Sequence, residues 1–481
     1  MRKISSLLCA LITATAIAPP AGALRVVVIS DLHLLAPSLQ GDAFRSVARR
    51  DSKLTECSPA ILDAICDTVI SLQANLLVIT GDLTFNGERD SHLYISNRLQ
   101  KLRAQGVPSL VIPGNHDINN PYSQDFSGKK AVATATITRA EFAEIYHDFG
   151  YGGELEPASL SFVNEPAENI VFIGIDSNTD EKNQLRSRGD AKNLYHTGGA
   201  VKAETRAWVT EQITKAKADG KCVVALMHHH LVPHFDREER FLPNYVVKDY
   251  RAIAEQWANA GLRTIFTGHL HVTDAATLLQ DTDHPLTEIA TGSATTFPFY
   301  LRIVDINANQ QALDVHTRYL GQLTGIDDLQ QQGRERLQQA LPTLIDRVAT
   351  RLWKRAEPKL PQIKAYMAFG GGKVNLPDSK QELALLIKRH LSGPLSKALE
   401  AFVCGNEPEH HPEDILAEFD QGVEEIAAEI MPTNADALVD FYKETLYPML
   451  APTIKSVAYD LNNVNSNNPA RTDDLSLHLP L

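Results

Sequence analysis

The stretch Ile29-Ser30-Asp31-Leu32-His33 places an aspartate and a histidine, two side chains of metal-ligand type, directly behind a strand-like run. The run before it, Arg25-Val26-Val27-Val28-Ile29, is mostly apolar and β-branched and has the length of a strand. Side chains two residues apart on an extended segment point to the same side. We therefore expect Asp31 and His33 to approach one metal ion from the end of this strand.

Four further polar motifs follow strand-like runs in the same way. They are Gly81-Asp82, Gly114-Asn115-His116-Asp117, Met227-His228-His229-His230 and Gly268-His269-Leu270-His271. The runs before them are Leu76–Thr80, Leu110–Ile112, Val223–Leu226 and Thr264–Thr267. Open α/β folds place their sites at the carboxyl ends of strands, so the five motifs are expected to meet at one edge of a sheet.

The ligand types of these motifs suit two metal ions. A carboxylate can bridge two cations through its two oxygens, so Asp82 is the candidate shared ligand. One metal is predicted to bind Asp31, His33 and His271, and the other Asn115, His228 and His269. Two ions about 3.5–4 Å apart can catalyse in-line displacement at phosphorus. Imidazole-rich ligation without thiolates predicts two divalent or trivalent transition-metal ions (Fe, Mn, Zn or Co) rather than magnesium or calcium.

His116 follows a predicted ligand and need not bind metal itself. We predict that its imidazole protonates the leaving oxygen of a metal-bound phosphate, with Asp117 orienting the other ring nitrogen. The alternative is a hydrogen bond that only supports the ligands.

The series D-x-H, G-D, G-N-H-D, H-H and G-H-x-H from Asp31 to His271 resembles the calcineurin-like metallophosphoesterase superfamily. The flanking residues 81–88 and 113–121, together with Phe149-Gly150-Tyr151 and a helical C-terminal region, look like the bacterial branch related to class III cyclic-nucleotide phosphodiesterases.

The resemblance implies an α/β fold, a four-layer αββα sandwich, with a dinuclear site in which a metal-bound hydroxide is the nucleophile. It places the ligands at the seven residues named above, with His228 as the binder of the histidine run. His229 stays open as an alternative, and His230 lies furthest past the strand end.

Departures from sister groups favour a phosphodiesterase. Protein Ser/Thr phosphatases carry G-D-x-x-D-R-G, whose arginine clamps a phosphomonoester, whereas this chain has Phe85-Asn86-Gly87. Purple acid phosphatases carry a tyrosinate where Phe85 stands. A site that lacks this fixed arginine charge suits a singly charged diester better than a dianionic monoester.

The alternatives are a phosphomonoesterase or nucleotidase of the same fold and a non-enzymatic envelope binding protein. The expected partner is a small phosphate ester, of cyclic-nucleotide, lipid head-group or linear type.

Composition and charge narrow the class of protein. The chain has 481 residues with 43% hydrophobic content, enough for more than one domain. A formal net charge of −13 argues against general nucleic-acid binding, because phosphate backbones would be repelled. Residues 1–23 combine a basic start, an apolar core and small residues before Leu24, which predicts a signal peptide and an exported, periplasmic or secreted protein. The alternative is a buried first helix. No later stretch is apolar enough to span a bilayer.

The predicted domains are residues 24–322, a metallophosphoesterase domain with a largely parallel sheet, and residues 323–460, an all-helical domain. Three strand-like runs from Leu286 to Leu320 are expected to add antiparallel strands to that sheet. Residues 461–481 are predicted to be a mobile tail. The loop Leu35–Glu56 is expected to cover the site. A bridge between Cys57 and Cys66 stays open, as does the oligomeric state.

Overall fold

The structure is a computed structural model that describes residues 19–20, 22–184, 195–369, 374–405, 412–459 and 474–481. Apart from Pro19, Pro20, Gly22 and Ala23, the predicted signal peptide lies outside the described residues, so it stays a prediction. None of the described helices is long and apolar enough to cross a bilayer.

The described strands run from the first motif to the C-terminus. They are β1 (Leu24–Ile29), β2 (Leu76–Ile79), β3 (Ser109–Val111), β4 (Gln124–Asp125), β5 (Val132–Ala133), β6 (Phe162–Ala167), β7 (Ile170–Ile175), β8 (Cys222–Met227), β9 (Thr264–Thr267), β10 (Asp274–Leu278), β11 (Leu286–Ala290), β12 (Tyr300–Asn307), β13 (Ala312–Tyr319) and β14 (Ser476–Pro480).

The described helices alternate with the strands at first and then follow one another. They are α1 (Asp42–Ala48), α2 (Ser58–Ser71), α3 (Arg89–Ala104), α4 (Arg139–Ile145), α5 (Ala203–Ala218), α6 (Glu238–Phe241), α7 (Tyr250–Ala260), α8 (Leu329–Ala356), α9 (Leu360–Phe369), α10 (Lys380–Cys404), α11 (Pro412–Ile430), α12 (Ala435–Phe441) and α13 (Tyr447–Tyr459).

Two six-stranded sheets form the centre of the fold. The first has the order β14-β13-β12-β1-β2-β3, and the second has the order β10-β11-β9-β8-β7-β6. The strands β1, β2 and β3 are parallel in the first sheet, as are β7, β8, β9 and β11 in the second. The sequence pattern predicted that the motif-bearing strands are largely parallel. Only the resemblance to the superfamily implied that these strands are divided between two sheets.

Alternating side chains pack the two sheets into layers. Phe172 and Val224 of the second sheet face the core shared with the first sheet. Their neighbours Ile173 and Ala225 face the opposite way and pack with Trp257 of α7. This period of two is the normal consequence of strand geometry. Helices α2 and α3 contribute to the core at the first sheet. The order helix, sheet, sheet, helix confirms the predicted αββα class.

The C-terminal region is helical, as predicted, and it is continuous with the core. Leu341, Ile345 and Ala349 of α8 pack with residues of α10. Leu329 and Leu337, at the start of α8, belong instead to the core of the two sheets. The start of α8 therefore ties the helices to the first domain, and the exact domain boundaries stay a prediction.

The prediction for the three runs after Leu286 is partly wrong. Strands β12 and β13 are antiparallel additions to β1, as expected. Strand β11 instead lies in the second sheet and is parallel to β9. The hairpin partner β10 makes this possible, because it reverses the chain between them. Its sequence, Asp-Ala-Ala-Thr-Leu, has few of the β-branched residues that indicate a strand.

The prediction of a mobile tail from 461 to 481 is wrong at its end. Residues 460–473 are not among those described, but β14 pairs antiparallel with β13 at the edge of the first sheet. Leu477, Leu479 and Leu481 are buried while the residues between them are exposed. This alternation in Ser-Leu-His-Leu-Pro-Leu is a strand pattern within a segment whose polar start suggested disorder.

The structure contains no disulfide bond between Cys57 and Cys66. Cys57 and Cys66 are half-buried thiols. Burial raises the pKa of Cys57 to about 11 and that of Cys66 to about 12.

The edge strand β14 gives a direct test of its packing. Leu479 is 1% exposed, so Leu479→Ala should lower the free energy of unfolding by about 2–5 kcal/mol, measured by urea denaturation. The control is His478→Ala, whose side chain is 70% exposed in its ion pair with Asp314 and should matter little. Equal effects of the two substitutions would contradict the strand assignment.

Candidate metal centre

Loops at the carboxyl ends of five strands bring the predicted ligands together. The loops after β1, β2 and β3 in the first sheet carry Asp31 and His33, Asp82, and Asn115. The loops after β8 and β9 in the second sheet carry His228, His269 and His271. The two sheets therefore contribute to one site at their shared edge.

Asp31, His33 and His271 form the first group, with one ligand atom from each lying within 4.8 Å of the others. Nε2 of His33 lies 3.1 Å from Nε2 of His271, which in turn lies 3.2 Å from Oδ1 of Asp31. The other carboxylate oxygen of Asp31 accepts hydrogen bonds from the Ser30 hydroxyl at 2.6 Å and the His269 N–H at 2.9 Å. These bonds leave Oδ1 as the oxygen that faces the imidazoles.

Asp82, His228 and His269 form the second group under the same distance limit. Nδ1 of His228 donates to the Thr80 carbonyl at 2.8 Å, so Nε2 is the nitrogen that faces Asp82. Nε2 of His269 donates to the Asn244 carbonyl at 3.2 Å, which leaves Nδ1 as its ligand atom. Such outer hydrogen bonds fix the tautomer of a metal-binding imidazole.

The carboxylate of Asp82 lies between the two groups. Its Oδ1 is 3.4 Å from Nε2 of His228, and its Oδ2 is 3.7 Å from Nε2 of His33. Each oxygen thus faces a different set of nitrogens, which is the arrangement a bridging carboxylate needs.

Unpartnered buried atoms show that these residues fit cations. Oδ1 of Asp31, Oδ1 of Asn115 and Nε2 of His228 are buried without a hydrogen-bond partner among the described residues. Buried polar atoms without partners are costly. Oδ1 of Asp31 and Nε2 of His228 both face the cluster, and Asn115 directly precedes His116, whose N–H donates to Asp82. The donor set is nitrogen and oxygen without sulfur, which suits the predicted transition metals. The His/Asp groups could therefore bind two metal ions.

The backbone at the ligands is left-handed, contrary to the expectation of an extended segment. Asp31, His33 and Asp82 have φ values of 52°, 41° and 46°, and His269 and His271 have values of 69° and 63°. Residues other than glycine adopt this region at a cost of roughly 1–2 kcal/mol each. The strand β1 already ends at Ile29, so tight loops rather than strand alternation aim these side chains. Strain of this kind collects at functional sites.

Burial and charge set the protonation of the imidazoles. Burial lowers the pKa of His33 and of His269, which favours the neutral form that binds metal. Burial also acts on His228, but the Asp82 carboxylate outweighs it and raises the pKa of His228 to about 9. A proton on Nε2 of His228 occupies the place in which a metal ion would lie, since metal ions bind only the deprotonated nitrogen.

His116 lies at the edge of the cluster, but the structure corrects the role predicted for Asp117. Nδ1 of His116 donates to the Phe85 carbonyl at 2.7 Å, and its Nε2 is 3.9 Å from Oδ2 of Asp82. Asp117 instead accepts from the N–H groups of Gly114, Leu83 and Thr84 and from the Thr84 hydroxyl. Asp117 therefore joins the loops after β2 and β3 and does not orient the His116 ring.

The remaining histidines of the run have other partners. Nδ1 of His229 lies 2.8 Å from the Ser177 hydroxyl, and its Nε2 donates to the Thr197 carbonyl at 3.0 Å. Both ring nitrogens of His230 are also bonded, to Glu238 and to the Gly268 carbonyl. Of the three histidines in the run, only His228 therefore has a buried ring nitrogen without a hydrogen-bond partner among the described residues.

His230 belongs to a second buried group with His234 and Glu288. His234 lies between two carboxylates, 2.7 Å from Asp274 and 3.1 Å from Glu288. Glu288 also accepts from the N–H groups of Leu231 and Val232. These hydrogen bonds pair each ring nitrogen with a carboxylate or carbonyl oxygen, so the group supports the loop after β8.

Tyr195 is a site residue that no sequence pattern indicated. Its hydroxyl accepts from Nδ2 of Asn115 at 3.0 Å and donates to the Asn115 carbonyl at 3.2 Å. These hydrogen bonds orient the side-chain amide of Asn115 and leave its Oδ1 without a hydrogen-bond partner among the described residues. Tyr195 follows residues 185–194, which are outside the described residues, and no motif directly precedes it in the sequence.

Comparisons with known proteins agree with this geometry. A family model for calcineurin-like phosphoesterases matches residues 24–273. A probable cyclic nucleotide phosphodiesterase from Psychrobacter arcticus is 25% identical over 258 residues, which cover 52% of this chain and 75% of that protein. A second protein of that name, from Psychrobacter sp. strain PRwf-1, is 23% identical over 206 residues, covering 42% of this chain and 47% of the relative.

A solved dimetal phosphatase from Danio rerio superposes with a TM-score of 0.44 at 14% identity. The match covers 62% of this chain and 96% of the zebrafish chain.

Gly268 tests how tightly the loop after β9 packs. A Cβ at this position would overlap the Ser30 hydroxyl and press on Oδ2 of Asp31. Gly268→Ala should therefore lower the free energy of unfolding by about 1–3 kcal/mol and reduce bound metal, measured by thermal denaturation and elemental analysis. In the control Gly153→Ala, the nearest atom to the new Cβ is the Val163 carbonyl at 3.8 Å. Indistinguishable variants would contradict the packing described.

Proposed function

The chain belongs to the calcineurin-like phosphoesterase family, and we propose that it is an exported phosphodiesterase that acts with two transition-metal ions. Membership of the family makes it a phosphoester hydrolase. The choice of diesters, the export and the identity of the metals are parts of the proposal.

The observation that carries the proposal is the position of Asp82 between two groups of ligands. When bound there, two metal ions would polarise the phosphoryl oxygens and lower the pKa of a water nucleophile. Asp31, His33 and His271 would hold one ion, and Asn115, His228 and His269 the other. The protein itself then has to orient the ester, exclude competing groups and deliver a proton to the leaving oxygen.

The loop after β2 supports a diester over a monoester. In a sister group an arginine from this loop binds the extra charge of a monoester, whereas this loop has no arginine or lysine from Gly81 to Glu88. The Phe85 carbonyl and the Asn86 side-chain oxygen lie 2.7 and 3.2 Å from Nδ1 of His116. The two curated relatives named as probable cyclic nucleotide phosphodiesterases agree with this choice.

His116 is proposed to protonate the leaving group. Its side chain is 26% exposed, and Nε2 lies 3.9 Å from Oδ2 of Asp82. Burial lowers the pKa of His116 overall, although Asp82 and the hydrogen bond to the Phe85 carbonyl act in the opposite direction. The bond to Phe85 also fixes the ring, as a proton donor requires.

The helical region is proposed to limit access to the site. Arg336 of α8 donates to the Lys53 carbonyl at 3.2 Å and to Glu56 at 2.6 Å, so α8 holds the loop that was expected to cover the metals. The ring of Tyr245 lies 4.6 Å from that of His269. Burial raises the pKa of Tyr245, and the charge of Arg347 in α8 opposes this effect. Helix α8 thus contacts the loop directly, and the charge of its Arg347 acts on Tyr245 beside His269.

The substrate class is tested with the metal-loaded protein. The proposal predicts a higher kcat/KM for bis(p-nitrophenyl) phosphate than for p-nitrophenyl phosphate. Asp82→Asn should abolish both activities because it weakens both metal sites, and it serves as the control for contaminating phosphatases. A preference for the monoester would favour a phosphomonoesterase, and full activity of Asp82→Asn would favour a non-enzymatic role.

The proton donor is tested by changing the leaving group. His116→Gln should slow the hydrolysis of 3′,5′-cyclic AMP by roughly 100-fold or more, because its alkoxide leaving group needs a proton. The same substitution should slow bis(p-nitrophenyl) phosphate much less, since nitrophenolate leaves readily without one. Steady-state kinetics of the two substrates decide the matter, and equal losses would leave His116 as a supporting residue only.

A further inference from the structure

A cavity of about 770 Å³ lies beside the second group of ligands. Tyr195 lines this cavity, and its hydroxyl accepts from Nδ2 of Asn115 at 3.0 Å. Asn244 also lines it, and the Asn244 carbonyl accepts from Nε2 of His269 at 3.2 Å. Two residues of the wall thus contact two of the predicted metal ligands. Small-molecule sites usually measure about 300–1,000 Å³, so the cavity has room for a group the size of a nucleotide.

Hydrogen bonds hold the wall of the cavity in place. Residues 195–200 all line it. From the segment after β7, the Thr179 hydroxyl donates to the Gly198 carbonyl at 3.0 Å. From the segment before α7, the Lys248 N–H donates to the Gly199 carbonyl at 3.0 Å. The cavity is therefore built from three chain segments that are bonded to one another.

The proposed proton donor lies next to this cavity. The rings of His116 and Tyr195 have centroids 5.9 Å apart and meet edge to face. A leaving oxygen that takes a proton from His116 has to lie within hydrogen-bond reach of this ring. The cavity on the far side of Tyr195 is thus a space that can receive the alcohol attached to that oxygen.

Three cationic side chains of the cavity wall have no carboxylate partner among the described residues. They are Lys182, Lys248 and Arg251. Two carboxylates, Glu239 and Asp249, also line the cavity, but Asp249 lies 3.4 Å from the Arg206 guanidinium. The wall therefore carries a net positive charge in a chain whose formal net charge is −13.

These cations suit a phosphate group. A phosphate monoester offers several acceptor oxygens and up to two negative charges near neutral pH, which ammonium and guanidinium groups can bind together. The reacting phosphodiester would lie at the metal ions, so the cations of the cavity are left for a second group on the leaving alcohol. A 5′-phosphorylated dinucleotide is a linear diester with such a group, whereas a cyclic mononucleotide has a single phosphate.

We propose that the cavity binds the leaving alcohol of a linear phosphodiester, and that Lys182, Lys248 and Arg251 recognise a second phosphate on that alcohol. This inference rests on the proposed phosphodiesterase function and names its substrate class. It makes the cavity the part of the site that distinguishes one diester from another.

Two dinucleotides that differ only in the second phosphate test the inference. They are adenylyl(3′-5′)adenosine with and without a 5′-phosphate. Each is measured as an inhibitor of bis(p-nitrophenyl) phosphate hydrolysis by the full-length, metal-loaded protein, so the result does not require turnover of the dinucleotide. The phosphorylated form should have a roughly 10-fold lower inhibition constant, because it gains charge-assisted hydrogen bonds in the cavity.

Variants of the wall show whether this preference arises in the cavity. Lys248→Met should reduce the preference about 3-fold or more, and Lys248→Glu should reduce it further because like charges repel. The double variant Lys182→Met, Lys248→Met should bring the two inhibition constants close together. The matched control is Lys101→Met in α3, an exposed lysine outside the cavity, which should leave the preference unchanged.

Equal inhibition constants in the wild type would overturn the inference. A preference that persists in all the Lys248 variants would also overturn it, because the second phosphate would then bind at the metal ions. A wild type that hydrolyses p-nitrophenyl phosphate but not the diester would refute the proposed function instead. The same inhibition constants, measured against p-nitrophenyl phosphate, would still decide whether the cavity binds the second phosphate.

Discussion

The carboxylate of Asp82 is the group on which the rest of the site depends. It lies between imidazoles from both sheets, so its position requires the loop after β2 to meet loops from the far side of the sandwich. Two features hold it there. The N–H of His116 donates to its Oδ1 at 2.9 Å, and Asp117 ties the loop after β2 to the loop after β3. Adjacent parallel strands β2 and β3 make these contacts available, because parallel strands end at the same edge.

This arrangement is costly for the protein without a ligand. Five residues of the cluster have left-handed backbones. Three lone-pair atoms, Oδ1 of Asp31, Oδ1 of Asn115 and Nε2 of His228, are buried without partners among the described residues. Both features destabilise the fold on their own, and cations that accept those lone pairs would offset the cost. Metal binding and folding are coupled whenever the ligands are brought together only in the folded state. The strain and the unpaired atoms are therefore physical reasons why these residues could bind metal ions.

Particular residues show how far the sequence could lead. The motifs at the ends of β1, β2, β3, β8 and β9 were visible because ligand-type residues follow apolar runs. The structure places six of the seven predicted ligands in two compact groups, and the seventh, Asn115, directly precedes His116, whose N–H donates to Asp82. The left-handed conformations of Asp31 and His33 were not visible, since residues other than glycine rarely adopt them. Tyr195 gave no signal because its partner, Asn115, is 80 residues away in the chain. The role of Asp117 was misjudged because adjacency in sequence does not say which loop a side chain will face.

Anomalous X-ray diffraction from crystals of the purified, metal-loaded protein would show whether two metal ions share Asp82. Such crystals should give two anomalous peaks about 3.5–4 Å apart, each within bonding distance of one Asp82 oxygen. One peak should lie among Asp31, His33 and His271, and the other among Asn115, His228 and His269. A single peak at Asp82, or peaks confined to the buried group of His230, His234 and Glu288, would contradict a shared Asp82.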